Sequence, residues 1–167
     1  TEEAVGRFRR ALDIKPDYAD ARSNLAFSMY YGDFAPTDIL EAHMSWNDHH
    51  GACPRIVSSA NREAPDPGKR LRVGFVSAEL REHSVSYFLS PLFSAHDREK
   101  LSFHCYSNAK PKDEDAVSNR LRDAADGWRT IAGLDDDAAA ELIHADGIDI
   151  LVDLSGHTKG HRLHVFA

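Results

Sequence analysis

Short apolar runs and helix-length segments alternate through the second part of the chain, and few architectures accept that order. LRVGFVS (71–77), LSFHCYS (101–107) and IDILVDL (148–154) have the length and β-branched or aromatic content of strands, with Trp128 to Ile131 a shorter candidate. Between and after them, Ser84 to His96, Asp113 to Ala125 and Asp135 to Ala145 carry helical patterns. This order predicts a parallel sheet with crossover helices on both faces, a Rossmann-like α/β lobe. Residues 71–167 supply three or four strands. A doubly wound sheet usually has about five or six, so the lobe is expected to continue past Ala167.

Residues 1–50 read differently. Ala4, Phe8, Ala11 and Leu12 share one helical face, and Pro16 stops that helix. A second helix is expected from about Tyr18 to Tyr31 and a third from about Pro36 to His49. Ala4, Phe8, Ala11 and Pro16, followed by Leu25 and Ala26, match the packing positions of a tetratricopeptide repeat, although Arg22 stands where that pattern favours Trp. Residues 1–50 are therefore expected to be terminal tetratricopeptide-type helices, a repeat remnant that leans on upstream repeats or on the α/β lobe behind it. Residues 51–70, with three prolines and two glycines, are expected to be a linker. Both ends fall inside patterned segments, which predicts a partial chain.

Composition narrows the function. With 20 Lys and Arg against 27 Asp and Glu, the net charge of −7 argues against nucleic acid and against an anionic membrane surface. No run approaches a membrane span and the start lacks a signal-peptide core. Two cysteines, Cys53 and Cys105, make no disulfide framework, so the cytoplasm is the expected location.

Ligands of an open parallel sheet bind at the carboxyl ends of its strands. Two segments are expected there. In SAELREHSVSYF, Ser84 is the expected N-cap, which puts His83 at the mouth of the next helix. An imidazole so placed can accept a proton from a hydroxyl or donate to a phosphate. In LSGHTKGHR, Ser155, Gly156, His157 and Thr158 leave the last strand, and the Thr158 hydroxyl with the neighbouring amides suits a phosphate or a sugar oxygen. The competing structural readings are an exposed loop histidine and a simple turn.

Other chemistries lack their motifs. There is no GxGxxG after the first strand, PDPGKR is not a P-loop, and no GxSxG elbow occurs. His157, His161 and His164 would align for zinc only on a continuous helix, and Gly160 interrupts them. The acidic runs Asp113 to Asp115 and Asp135 to Asp137 read as structural residues at helix starts.

LRVGFVSAELREHSVSYFLSPLF, FHCYSN and ADGIDILVDLSGHTKGHRLHVFA together closely resemble the O-GlcNAc transferase and SPINDLY-like family, glycosyltransferase family 41. The resemblance covers nearly the whole chain. It implies the first part of the N-lobe of a GT-B fold, fused to tetratricopeptide repeats, and metal-independent inverting transfer of a sugar to protein Ser or Thr hydroxyls. It also implies acceptor proteins guided by the repeat arm, and a nucleotide sugar as substrate with no separate cofactor. His83 matches a family histidine considered for a base or acceptor-orienting role. Ser155, Gly156, His157 and Thr158 match the loop near the sugar and diphosphate, Thr158 most closely. The main diphosphate clamp belongs to the C-lobe, so Lys159 is not assigned to it. Animal relatives tend to carry Asn and Tyr where Ser155 and His157 stand here, whereas the SPINDLY type carries Gly-His-Thr. The donor is therefore expected to be UDP-GlcNAc, with GDP-fucose as the other candidate. The fragment alone is expected to be inactive, and a non-catalytic tetratricopeptide scaffold is the alternative to the enzyme.

Overall fold

The computed structural model describes residues 1–51 and 68–167. The expected linker falls largely on residues 52–67, outside the described residues. The described residues fall into two compact units, one before residue 52 and one after residue 67.

The first unit is helical: α1 (Glu2–Ile14), α2 (Ala19–Met29) and α3 (Pro36–His50). Successive helices pack across short turns, α1 on α2 and α2 on α3. Ala4, Phe8, Ala11 and Leu12 are half-buried as their spacing requires, and Val5 beside them is the most enclosed residue of α1. Arg22, where the repeat pattern favours Trp, is buried as well and donates to Ser45 Oγ at 2.6 Å and to the carbonyl of Pro16. A guanidinium thus links α2 to the preceding turn and to α3 at once, where an indole has a single N–H to donate.

The second unit contains a four-stranded parallel sheet of β1 (Leu71–Ser77), β2 (Leu101–Ser107), β3 (Gly127–Thr130) and β4 (Ile150–Asp153), in the order β3-β2-β1-β4. The helices are α4 (Ser84–Ala95), α5 (Ala116–Ala124) and α6 (Asp136–Ala145). Side chains alternate across each strand and build a core on either face. Val73, Phe75, Phe103 and Cys105 meet Leu89 and Phe93 of α4 and Val117 and Leu121 of α5. Val76 and Tyr106 meet Ala139 and Ile143 of α6, with Val165 of a terminal 3-10 turn. Helices therefore cover both faces, as the alternating sequence requires.

Two helix starts differ from expectation. Of the acidic run at 113–115 only Asp115 stands at the start of α5, as its N-cap, while Asp113 ends a 3-10 turn. Its Oδ1 accepts from the amides of Val117 and Ser118 at 2.8 and 3.0 Å, while its own amide donates to Ser118 Oγ at 3.1 Å. The N-cap of α4 is His83, not Ser84.

Candidate functional site

The strand order fixes where a site belongs. From β1 the chain moves outward through β2 to β3, then returns through α6 to place β4 on the other side of β1. The order reverses between β1 and β4, and ligands of such sheets bind above that point. The loop carrying His83 follows β1 and the loop carrying Thr158 follows β4, so both expected segments flank the switch point. They also touch, because a Cβ on Gly160 would lie 3.0 Å from that of Ala78.

The first loop is held from several sides. Ser77 is buried, and its Oγ accepts from the Glu79 amide at 2.9 Å. Asp115 Oδ2 accepts from the Glu82 amide at 2.7 Å. That bond, followed by the one from Ser118, holds the Asp115 carboxyl below its ordinary range. Ser86, buried in the first turn of α4, donates to the Arg81 carbonyl at 2.5 Å. The hydroxyl in the His-Ser-Val-Ser string therefore fixes the turn beneath His83.

His83 itself is exposed, with extended backbone, and its Nδ1 accepts from the Val85 amide at 3.4 Å. An accepting Nδ1 carries no proton, so in the neutral ring the proton sits on Nε2. In this state the outer nitrogen is a donor. Accepting a proton there would require the cap to be given up.

The second loop is closed by its own groups. Asp153 accepts from the amides of Ser155 at 3.1 Å and Gly156 at 2.7 Å. Gly156 takes φ +53, a left-handed conformation suited to glycine. Thr158 donates both its amide, at 3.1 Å, and its hydroxyl, at 2.7 Å, to the Ser155 carbonyl. Ser155 is buried with its Oγ 3.4 Å from that of Ser77, and His157 is half-buried against the His161 ring. The amides of Ser155, Gly156 and Thr158 are thus used inside the turn. What Thr158 retains is lone pairs, which accept from a hydroxyl and do not bind a phosphate oxygen.

Losing the Asp153 carboxylate would orphan two amides, one of them at buried Ser155. Asp153→Ala is expected to cost about 1–3 kcal/mol and to speed hydrogen exchange at Ser155 and Gly156. Asp153→Asn, which keeps one acceptor oxygen, should lose less. Urea midpoints with amide exchange check both, and equal protection at the two amides in all three proteins would refute the role.

The histidines after Gly156 do not form a ligand row. Gly160 at φ +81 breaks the helix that their spacing needs, and His164 turns to Asp136 at 3.5 Å. Among the described residues no group of three His, Cys, Asp or Glu is placed to hold a metal ion.

A cleft of about 620 Å3 that no sequence motif marks opens next to the Thr158 loop, at the carboxyl edges of β1, β2 and β3. Arg81, Lys110, Lys112 and Lys159 line it together with Glu79 and Asp113. Its components are far apart in the chain, and only the strand order brings them together.

The family model for glycosyl transferase family 41 matches residues 55–167. A Solanum lycopersicum protein named probable UDP-N-acetylglucosamine–peptide N-acetylglucosaminyltransferase SPINDLY is 33% identical over 93% of this chain and 17% of its own length. A Caenorhabditis elegans UDP-N-acetylglucosamine–peptide N-acetylglucosaminyltransferase is 31% identical over 65% of this chain and 9% of its own. The solved structure of a mutant O-GlcNAc transferase from Thermobaculum terrenum, 41% identical, matches with a TM-score of 0.89 over 99% of this chain and 31% of that one. This chain therefore spans less than a fifth of the length of these curated relatives.

Proposed function

This chain belongs to glycosyl transferase family 41, and from that membership we propose that it forms the leading part of the catalytic region of a protein O-glycosyltransferase. The reaction moves a sugar, GlcNAc by preference, from a nucleotide donor to a Ser or Thr hydroxyl with inversion. The observation that carries this reading is the 41% identity and 0.89 TM-score, over 99% of the chain, to a protein named O-GlcNAc transferase. The transferase names borne by the relatives favour the enzyme over a non-catalytic scaffold.

The chemistry divides among the described residues. Displacement with inversion needs the acceptor oxygen in line with the anomeric carbon, opposite the departing diphosphate. His83, with Nδ1 used as a cap acceptor, donates from Nε2 and orients or stabilises a substrate oxygen above the switch point. Thr158, its proton directed at the Ser155 carbonyl, accepts from a sugar hydroxyl. Ser155, Gly156 and His157 shape that loop, and its used amides favour the sugar over the diphosphate as its partner. Lys159 is not assigned to the diphosphate.

The acceptor is a protein or peptide, guided by the helical repeat arm, and the nucleotide sugar is a substrate with no resident cofactor. Among the described residues no helix is long and apolar enough to cross a membrane. Cys105 is a free, buried thiol, pushed up to about 12 by burial, which suits the reducing cytoplasm we assign.

A transfer assay on the full-length protein with an acceptor protein, EDTA and either labelled UDP-GlcNAc or labelled GDP-fucose tests the reading. Transfer from UDP-GlcNAc that persists in EDTA is expected. Transfer from GDP-fucose alone would replace the donor, and transfer from neither would remove the proposal.

A further inference from the structure

We infer that the lysine-lined cleft at the carboxyl edge of the sheet holds acidic segments of the acceptor polypeptide, beside the loop that carries Thr158. The transferase reading supplies the identity of that polypeptide, and the cleft's own charge and shape supply the rest.

The chain is acidic overall, with a net charge of −7, yet four cationic side chains meet in this one cleft against two carboxylates. Arg81 is already paired with Glu79 at 3.1 Å. Lys110, Lys112 and Lys159 are exposed, and among the described residues none of them makes an ion pair. Only Asp113 is left to oppose three lysines. Their approach is imposed by the fold: Lys110 and Lys112 follow β2, Lys159 follows β4, and Asn108 Nδ2 ties the two loops by donating to the Gly160 carbonyl at 2.8 Å. Like charges held together repel, and an anion entering between them relieves that repulsion.

The shape selects among anions. Ala109, Ala132, Gly133 and Gly160 line the cleft, and no aromatic ring is present on which a base would stack. Small side chains leave room for an extended backbone. Lysine is a compact charge on a flexible stem, without the planar fork with which arginine reads phosphate, so carboxylates at variable spacing suit it. Because Lys159 directly follows Thr158, a peptide seated here carries its acidic residues close to the reacting hydroxyl.

Fluorescence anisotropy on the full-length protein, without donor, tests this. Three labelled peptides of equal length share a central Ser, flanked by Glu, Gln or Lys. The Glu peptide should bind most tightly and weaken as salt rises from 50 to 300 mM, a range chosen around a Debye length of about 10 Å. Lys110→Ala with Lys112→Ala should weaken it about fivefold, the size expected of two exposed charge contacts, and leave the Gln peptide unchanged. Equal binding of the Glu and Gln peptides, or an unchanged Glu peptide in the double variant, would overturn the inference. So would pyrophosphate that displaces the Glu peptide at equal concentration and itself depends on both lysines, since the cleft would then be a phosphate site. With no donor present, failure here leaves the transferase reading to its own assay.

Discussion

Replacing His83 by alanine is expected to lower kcat/KM for sugar transfer about 100- to 1000-fold, while His83→Asn retains a measurable part of the rate. Nδ1 accepts the Val85 amide, so the neutral ring presents N–H at its other nitrogen. Asparagine is a favoured N-cap whose carbonyl oxygen takes the same amide and whose NH2 still donates, though from a shorter reach. A base lost from this position would leave Asn no better than Ala. A donor lost from it would leave Asn between Ala and the parent. Loss of the cap costs alanine only about 0.5–2 kcal/mol of stability, which leaves a domain of ordinary stability folded. Alanine within twofold of the parent would remove His83 from the site, and Asn equal to Ala would restore the base.

The elements that could be read from sequence are those whose signal is local. β1 and β2 occupy the residues their apolar runs mark, because Lys69 and Arg70 precede one and Arg98 to Lys100 the other, ending each run abruptly. The last strand, expected over 148–154, spans Ile150–Asp153, while the amides of Asp149 and Leu154 carry its pairing with β1 one residue further at each end. Helix starts are harder. Three acids in a row stand where α5 is expected to start, and a contact remote in sequence, the Glu82 amide on Asp115, accompanies the one that caps it. Serine outranks histidine as a cap in general, yet Ser86 fixes the preceding carbonyls so that residue 83 is the last extended one.

The site divides in the same way. That His83 and Thr158 follow strands was legible from the strand pattern, and the family resemblance singled them out. Their protonation and bonding were not legible, since the roles of Nδ1 and of the Thr158 hydroxyl depend on turns closed by Val85 and Ser155. The lysine cleft left no trace in the sequence. A lysine in a loop is solvated by default, and no periodicity tells that residues 110 and 159 meet across β1.

The scaffold beneath these loops depends most on one ring, and Phe103→Ala is expected to cost about 3–5 kcal/mol. Phe103 is 2% exposed in the middle layer of β2. Its ring lies 5.1 Å from Phe75 edge-on, 5.0 Å from Phe93, and stacked at 3.9 Å on His96 at the end of α4. Deleting it removes the contact that three elements share and leaves a cavity that β1 and α4 cannot close without leaving the sheet register. Phe103→Leu fills much of that volume and should lose less than half as much. Trp46 and Trp128 are the only tryptophans, one in each unit. In a Trp46→Phe background, Trp128, with the Arg122 guanidinium 4.7 Å from its ring centroid, therefore reports the sheet unit alone. An unfolding free energy from urea, followed by Trp128, that falls by less than about 1 kcal/mol in Phe103→Ala would show that the aromatic cluster is not what holds α4, and with it His83, against the sheet.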